Sequence, residues 1–269
     1  AFIIYILYKG GSMLKPSFLF GKPKLTGVGG GIGPQLFNSF YMLVVSLLIT
    51  VPVGIGAGIY LAEYAKKGLL TNFIRTCIEI LSSLPSVVVG LFGYLIFVVQ
   101  FEYGFSILSG ALALTVFNLP QMTRNVEDSL RHVHHTQREA GLALGLSRWE
   151  TILHVVIPEA LPGIVTGIVL ASGRIFGEAA ALIYTAGQSA PALDWSNWNP
   201  LSVTSPISIF RQSETLAVHI WKVNSEGTIP DATQVSAGSA AILLIFILLF
   251  NLSARYIGKK LHAKMTSAA

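Results

Sequence analysis

The sequence predicts an all-α, polytopic membrane helical bundle, and three observations carry that expectation. The 269 residues are 52% hydrophobic and only 12% charged, where soluble domains average about 25% charged. Mean hydropathy is +0.64. Apolar stretches recur along the chain near the roughly 20 residues that a helix needs to cross a bilayer. The length alone would allow one or two soluble domains, but the charge-poor stretches are too long and too many for that.

Taken in order, Ala1 to Tyr8 is apolar but too short to span, and reads as the tail of a partial first span. A Gly-rich external segment follows, up to Pro34. Complete spans are expected at about 36–62, 73–100, 159–186 and 237–257, with a shorter fifth near 106–123 that ends at Pro120. The count is five complete spans plus a partial one. The chain divides into residues 1–34, a membrane domain over 35–258 with a polar loop at about 125–158, and a basic tail at 259–269.

The polar loop is the most informative stretch. Arg138 to Pro162 reads REAGLALGLSRWETILHVVIPEALP. Thr136 precedes Glu139 by three residues, and Ser147 precedes Glu150 by three. Both fit a capping box, in which hydroxyl and carboxylate each satisfy a helix-start amide. Gly145 lies between the two expected helices, where a left-handed residue is cheap. Pro158 and Pro162 are expected to break the second helix or to reset the chain as it returns to the membrane. A lone capping box would be no more than a cap; a whole charged, amphipathic loop between two spans points to docking of a soluble partner.

The loop resembles the coupling loop of binding-protein-dependent ABC importer permeases. Their signature runs Glu-Ala-Ala, three residues, Gly, nine residues, Ile-x-Leu-Pro. Here it reads Glu139-Ala140-Gly141, then Gly145, then Val155-Val156-Ile157-Pro158, with size and polarity kept at each change. The resemblance implies that Arg138, Glu139, Ala140, Gly141 and Gly145 form the contact with an ATPase subunit.

Charge sets the orientation. With the loop cytoplasmic, eleven Lys and Arg residues fall inside and six outside, and Arg174 lies within the membrane. This agrees with the positive-inside rule, the four lysines of the first external segment being a local exception. The external stretch from Gly187 to Gln234 carries Trp195, Trp198 and Trp221, residues suited to headgroup level. Ser205-Pro206 reads as a cap and first-turn proline, with Phe210, Ala217 and Trp221 on one face of an interfacial helix, or else of an ordinary loop.

Arg174 and Glu178 sit deep in an apolar stretch, ASGRIFGEAAALIYTAG. Intramembrane charges usually face a bundle interior or a water-filled path. Their i,i+4 spacing puts them on one helical face. They form either a buried salt bridge that fixes packing, or an anion path in which Arg174 attracts the substrate and Glu178 balances it. The planar fork of arginine suits a phosphate-like oxyanion. Glu79 is expected to pair with Arg75 one turn earlier. Ser82, Ser83 and Ser86 flank Pro85, and can satisfy the carbonyl it frees or line a cavity; Ser83 and Ser86 join the candidate substrate path.

GGGIGPQLFNSF, LPSVVVGLFGY and GRIFGEAAALIYTAG together narrow the resemblance to the phosphate-specific ABC permeases, specifically the A-type half, the PstA family, over about Gly29 to Arg255. The resemblance implies a type I importer permease core in a bacterial plasma membrane. Its implied partners are a second, PstC-like permease, PstB-like ATPase subunits and a PstS-like external phosphate-binding protein. Inorganic phosphate would be the cargo; sulfate, molybdate or an organic solute keeps the class, and a phosphate sensor that moves nothing is a further alternative. ATP and Mg would be used by the ATPase, with no cofactor on this chain.

Other signals carry less. Gly27 to Gly33 lacks the Lys-Ser/Thr of a phosphate-binding loop. His132, His134 and His135 have no carboxylate or cysteine to complete a metal set. Cys77, the single cysteine, excludes an internal disulfide and suits packing. No serine, histidine or cysteine constellation looks catalytic, and His154 lies twenty-four residues from Glu178, too far for one site on one helix.

Overall fold

The computed structural model describes residues 2–24, 27–227 and 229–266. Ala1, at the head of the expected partial span, and residues 267–269 of the basic tail lie outside the described residues. Two short helices open the chain, α1 (Phe2–Gly10) and α2 (Pro16–Phe20, with Pro16 in its first turn). Helix α3 (Gly33–Ile59) runs on into a π-helical turn at Tyr60–Tyr64. Next come α4 (Leu69–Ser83) and α5 (Ser86–Gly93), the latter prolonged by π turns to Gln100. Helix α6 (Ile107–Arg131) is followed by α7 (His135–Ala143) and α8 (Arg148–Thr151). A π turn at Ile152–Val156 joins α8 to α9 (Ile157–Gly177). The chain ends with α10 (Ala180–Thr185), α11 (Leu216–Glu226) and α12 (Ala232–Thr266).

Among the described residues, three helical stretches are long and apolar enough to cross a membrane: Gly33–Tyr64, Arg148–Gly177 and Ala232–Met265. A fourth exists if α4 and α5, bent by 102°, form one span. The expected five are therefore not reached on length and apolarity. The expected span at 73–100 is broken at Leu84-Pro85. Proline has no N–H to continue the helix, and the Ser82 and Ser83 hydroxyls take up last-turn carbonyls of α4, those of Glu79 and Ile80 at 2.8 and 2.7 Å. The expected stretch 106–123 falls in α6 from Ile107 onward, and the helix continues through Pro120 to Arg131. Asn118, Gln121 and Arg124 make α6 too polar to qualify, yet Ala111, Leu114, Met122, Val126 and Leu130 are fully buried. A helix wrapped by protein does not need a lipid-facing surface.

The chain forms two compact units. One holds Ala1–Leu47, Leu84–Phe117 and Arg174–Leu248. Its core gathers Phe18, Ile32, Leu216, Val223, Val235 and Ile242, and Phe40 meets Phe176 and Phe246 edge-on, with ring centroids 5.4 and 5.0 Å apart. Helices α5 and α10 pack closely here: a Cβ on Gly90 would lie 2.7 Å from the Ala181 Cα. The other unit holds Leu48–Ser83, Asn118–Gly173 and Leu249–Ala269. Its core is built on Ile59, Met122, Val126, Leu130, Ile152, Val156 and Ile164. Gly54 and Gly58, one turn apart on α3, let Met122 and Val126 of α6 come within 2.6 and 2.5 Å of where a Cβ would be. Small residues at such a seam maximise van der Waals contact where lipid gives no hydrophobic drive.

Candidate functional site

The polar loop takes the expected helix–glycine–helix form, with two corrections. Ser147 caps α8 in a full capping box: its Oγ accepts from the Glu150 N–H at 3.3 Å, and its own N–H donates to Glu150 Oε2 at 2.8 Å. Gly145 is left-handed, at φ 85°. Thr136, however, caps nothing. Helix α7 starts at His135 after an extended His134, so Thr136 is already inside the helix, and Glu139 meets His135 Nδ1 at 3.1 Å instead. Pro158 and Pro162 do not break the second helix either. The π turn at Ile152–Val156, closed by the Ile157 N–H to the Ile152 carbonyl, lies directly ahead of Pro158; its wider turn absorbs the missing proline donor.

The loop presents a mixed apolar and acidic face. The Glu139 side chain is 65% exposed, Ala140 is exposed, and Leu142, Leu144 and Trp149 stand open beside them. Gly141 is turned inward: a Cβ there would sit 2.8 Å from the Thr151 Cγ2, so α7 lies on α8 at a distance that only glycine allows without movement of the threonine. Arg138 also faces inward, only 19% exposed, and pairs with Glu63 at 2.9 Å.

The second candidate region departs further from expectation. Arg174 is exposed near the end of α9, with its guanidinium over the Phe117 ring, 5.4 Å from the centroid. Glu178 does not share its helix. Helix α9 ends at Gly177, and Glu178 turns to α10, where Oε1 accepts from the Ala181 N–H at 3.1 Å. The expected i,i+4 face is thus broken, and among the described residues no carboxylate pairs with Arg174. Ser83 ends α4, with its hydroxyl engaged on the Ile80 carbonyl, while Ser86 opens α5, half-buried. Arg75 pairs with Glu127 at 2.8 Å rather than with Glu79, which lies 3.6 Å from Arg124. Glu127 is the better partner because it is nearly buried and also holds Arg131 at 3.0 Å.

Sequence reasoning missed a buried polar core around Arg211. Arg211 is 1% exposed and fully engaged. It donates to Asn38 Oδ1 at 2.8 Å, to the Pro206 carbonyl at 3.2 Å and to the Gln212 carbonyl at 3.3 Å, beside the stacked rings of Phe37 and Tyr41, 5.9 Å from each centroid. Burial pulls its guanidinium down to about 10, so it stays charged at neutral pH. Glu214 accepts from Gln35 at 2.9 Å and lies 3.1 Å from His219 Nδ1. The expected helix after Ser205-Pro206 does not form there; it begins at Leu216, capped by Thr215, because residues 205–215 fold around Arg211. The signal available was a lone arginine in an external segment, indistinguishable by composition from a solvated one.

The chain matches the family described as binding-protein-dependent transport system inner membrane component over residues 54–267. It belongs to that family. It is 54% identical over 98% of its length to the probable ABC transporter permease protein YqgI of Bacillus subtilis, of which it covers 90%. It is 38% identical over 87% of its length to the phosphate transport system permease protein PstA of Yersinia pestis, covering 75% of that protein. With PstA 2 of Mycobacterium bovis the identity is 35%, over 83% and 70% of the two chains. The fold is similar to a chain of the methionine ABC transporter MetNI in an inward-facing form, with TM-score 0.60, 18% identity and coverage of 86% and 94%. A bacterial ABC transporter for import of the acidic polysaccharide alginate gives TM-score 0.59, 13% identity and coverage of 96% and 92%. The chain is therefore a membrane permease subunit of the ABC importer class, and not itself an enzyme.

Proposed function

We propose that the chain is one of two permease subunits of an ATP-driven phosphate importer in a bacterial cytoplasmic membrane. The similarity to phosphate transport permeases at 35–38% identity over most of the chain is the observation that carries the cargo. Arg174 supports it from the chemistry: an exposed guanidinium with no carboxylate partner among the described residues can donate to an oxyanion through two parallel hydrogen bonds. Ser86, which opens α5 in the same unit, is a secondary candidate for that path. A second, homologous permease completes the path, and an external phosphate-binding protein delivers the ion. Cytoplasmic ATPase subunits bind ATP and Mg and dock on the loop face made by Glu139, Ala140, Leu142 and Leu144. Gly141 and Gly145 give that face its shape, and Arg138 holds it from beneath.

Uptake of radiolabelled phosphate at low external concentration, in cells lacking the gene and restored with it, tests the cargo. Restored uptake that excess sulfate or molybdate leaves unchanged is expected. Uptake abolished by either competitor moves the cargo to that oxyanion, and no uptake with any oxyanion leaves a sensor. For the docking face, Glu139→Lys should leave membrane insertion intact and lower both ATPase association and uptake.

A further inference from the structure

The end of α3 is where the docking loop is fastened. Three arginines from three successive helices converge on Leu61–Tyr64. Arg131 of α6 donates to the Leu61 carbonyl at 3.3 Å. Arg138 of α7 donates to Glu63 Oε1 through Nε at 3.1 Å and Nη2 at 2.9 Å. Arg148 of α8 donates to the Glu63 carbonyl and lies over the Tyr64 ring, 4.9 Å from its centroid. The location has a physical cause. A helix C-terminus leaves carbonyls without N–H partners and carries partial negative charge. Here the terminal turn is π-helical, a form found mostly as local bulges at functional sites. A carboxylate at Glu63 deepens the same negative field.

Arg138 does more than pair. Its Nη1 and Nη2 also cap the C-terminus of α6, reaching the Val133 and Leu130 carbonyls at 2.6 Å each. One guanidinium therefore ties the ends of α3 and α6 to α7, with the Glu63 side chain only 9% exposed. A charge-assisted pair shielded from water is stiffer than an exposed one. Glu139, the next residue, points outward at 65% exposure. Outward and inward contacts thus sit on adjacent residues of one helix.

We propose that Glu63 is a positioning residue for force transmission: with Arg138 it clamps the docking loop to α3, so that displacement of α7 by a docked ATPase moves the span rather than the loop alone. The clamp has this role only if the loop docks an ATPase as proposed above. In that case Arg138 acts through Glu63, not through the ATPase surface.

The test uses the transporter assembled with its ATPase and binding protein in vesicles, and measures phosphate moved per ATP hydrolysed. Glu63→Gln keeps the shape but removes the charge. It should still co-purify with the ATPase and hydrolyse ATP, while the ratio falls about tenfold. Glu63→Asp, which keeps the charge, should retain most of the ratio; a merely structural role would not separate the two. A natural ratio in Glu63→Gln overturns the clamp, as does loss of ATPase association in that variant, which would make Glu63 part of the docking surface. Should Glu63→Gln fail to accumulate in the membrane, Arg138→Lys keeps a positive charge but cannot hold Glu63, Leu130 and Val133 together as the guanidinium does, and a natural ratio there also overturns the clamp. Failure of docking itself reads differently: Glu139→Lys then keeps both ATPase association and uptake.

Discussion

Arg211 and Arg174 are both arginines of the same unit, and their surroundings could hardly differ more. Arg211 is buried, and Asn38, two backbone carbonyls and two rings share its charge. Arg174 is exposed, with one ring face beside it and no carboxylate among the described residues. An arginine whose donors are all taken holds structure, because removing it strands buried acceptors. An arginine with free donors stabilises little and is available to a ligand. Saturation of the guanidinium, more than its depth in the sequence, separates the two roles.

Perturbing each member sharpens the contrast. Arg211→Leu leaves the Pro206 and Gln212 carbonyls and Asn38 without their donor, and should lower stability by about 3 kcal/mol, read as a drop in the melting temperature of the detergent-solubilised protein. Arg174→Gln should leave that melting temperature unchanged and lower phosphate uptake about thirtyfold, equal to about 2 kcal/mol. Gly141→Val pushes a side chain against Thr151 and should destabilise by about 1–2 kcal/mol, with ATPase association falling alongside. The smallest effect is a pH response of the loop around Asp194. Ser196 donates to Asp194 from both its hydroxyl, at 2.6 Å, and its N–H, at 3.0 Å, which holds the carboxyl below its ordinary 3.8. A carboxyl lowered in the folded state adds stability above its unfolded value, and that contribution is lost as pH falls through the folded one. Protection of the Ser196 amide, its exchange relative to an unstructured peptide at the same pH, should therefore fall only below about pH 3.8; a fall already at pH 6 would place the cause elsewhere.

Features set by neighbouring residues were legible in the sequence. Ser147 with Glu150 announced the start of α8, and Gly145 the corner, because capping and left-handed turns depend on residues a few positions apart. Pro85 was legible as a residue that frees a carbonyl, but the stretch around it read as one span, and the 102° bend was not legible. Long-range pairing was not legible. The i,i+4 rule matched Arg75 with Glu79 and Arg174 with Glu178, but α6 brings Glu127 to Arg75, and the end of α9 at Gly177 turns Glu178 to α10. Local spacing states which charges can meet, and tertiary packing decides which do. Nothing in the residues around Glu63 marks its role, because Arg138 and Arg148, which reach it, and Arg131, which reaches Leu61, come from α7, α8 and α6.

The most direct test of the contrast measures melting temperature and phosphate uptake side by side for Arg174→Gln and Arg211→Leu in the reconstituted transporter. The account predicts a natural melting temperature with lost uptake for Arg174→Gln, and a lowered melting temperature for Arg211→Leu with uptake falling only as folded protein is lost. Full uptake in a well-folded Arg174→Gln transporter would contradict it.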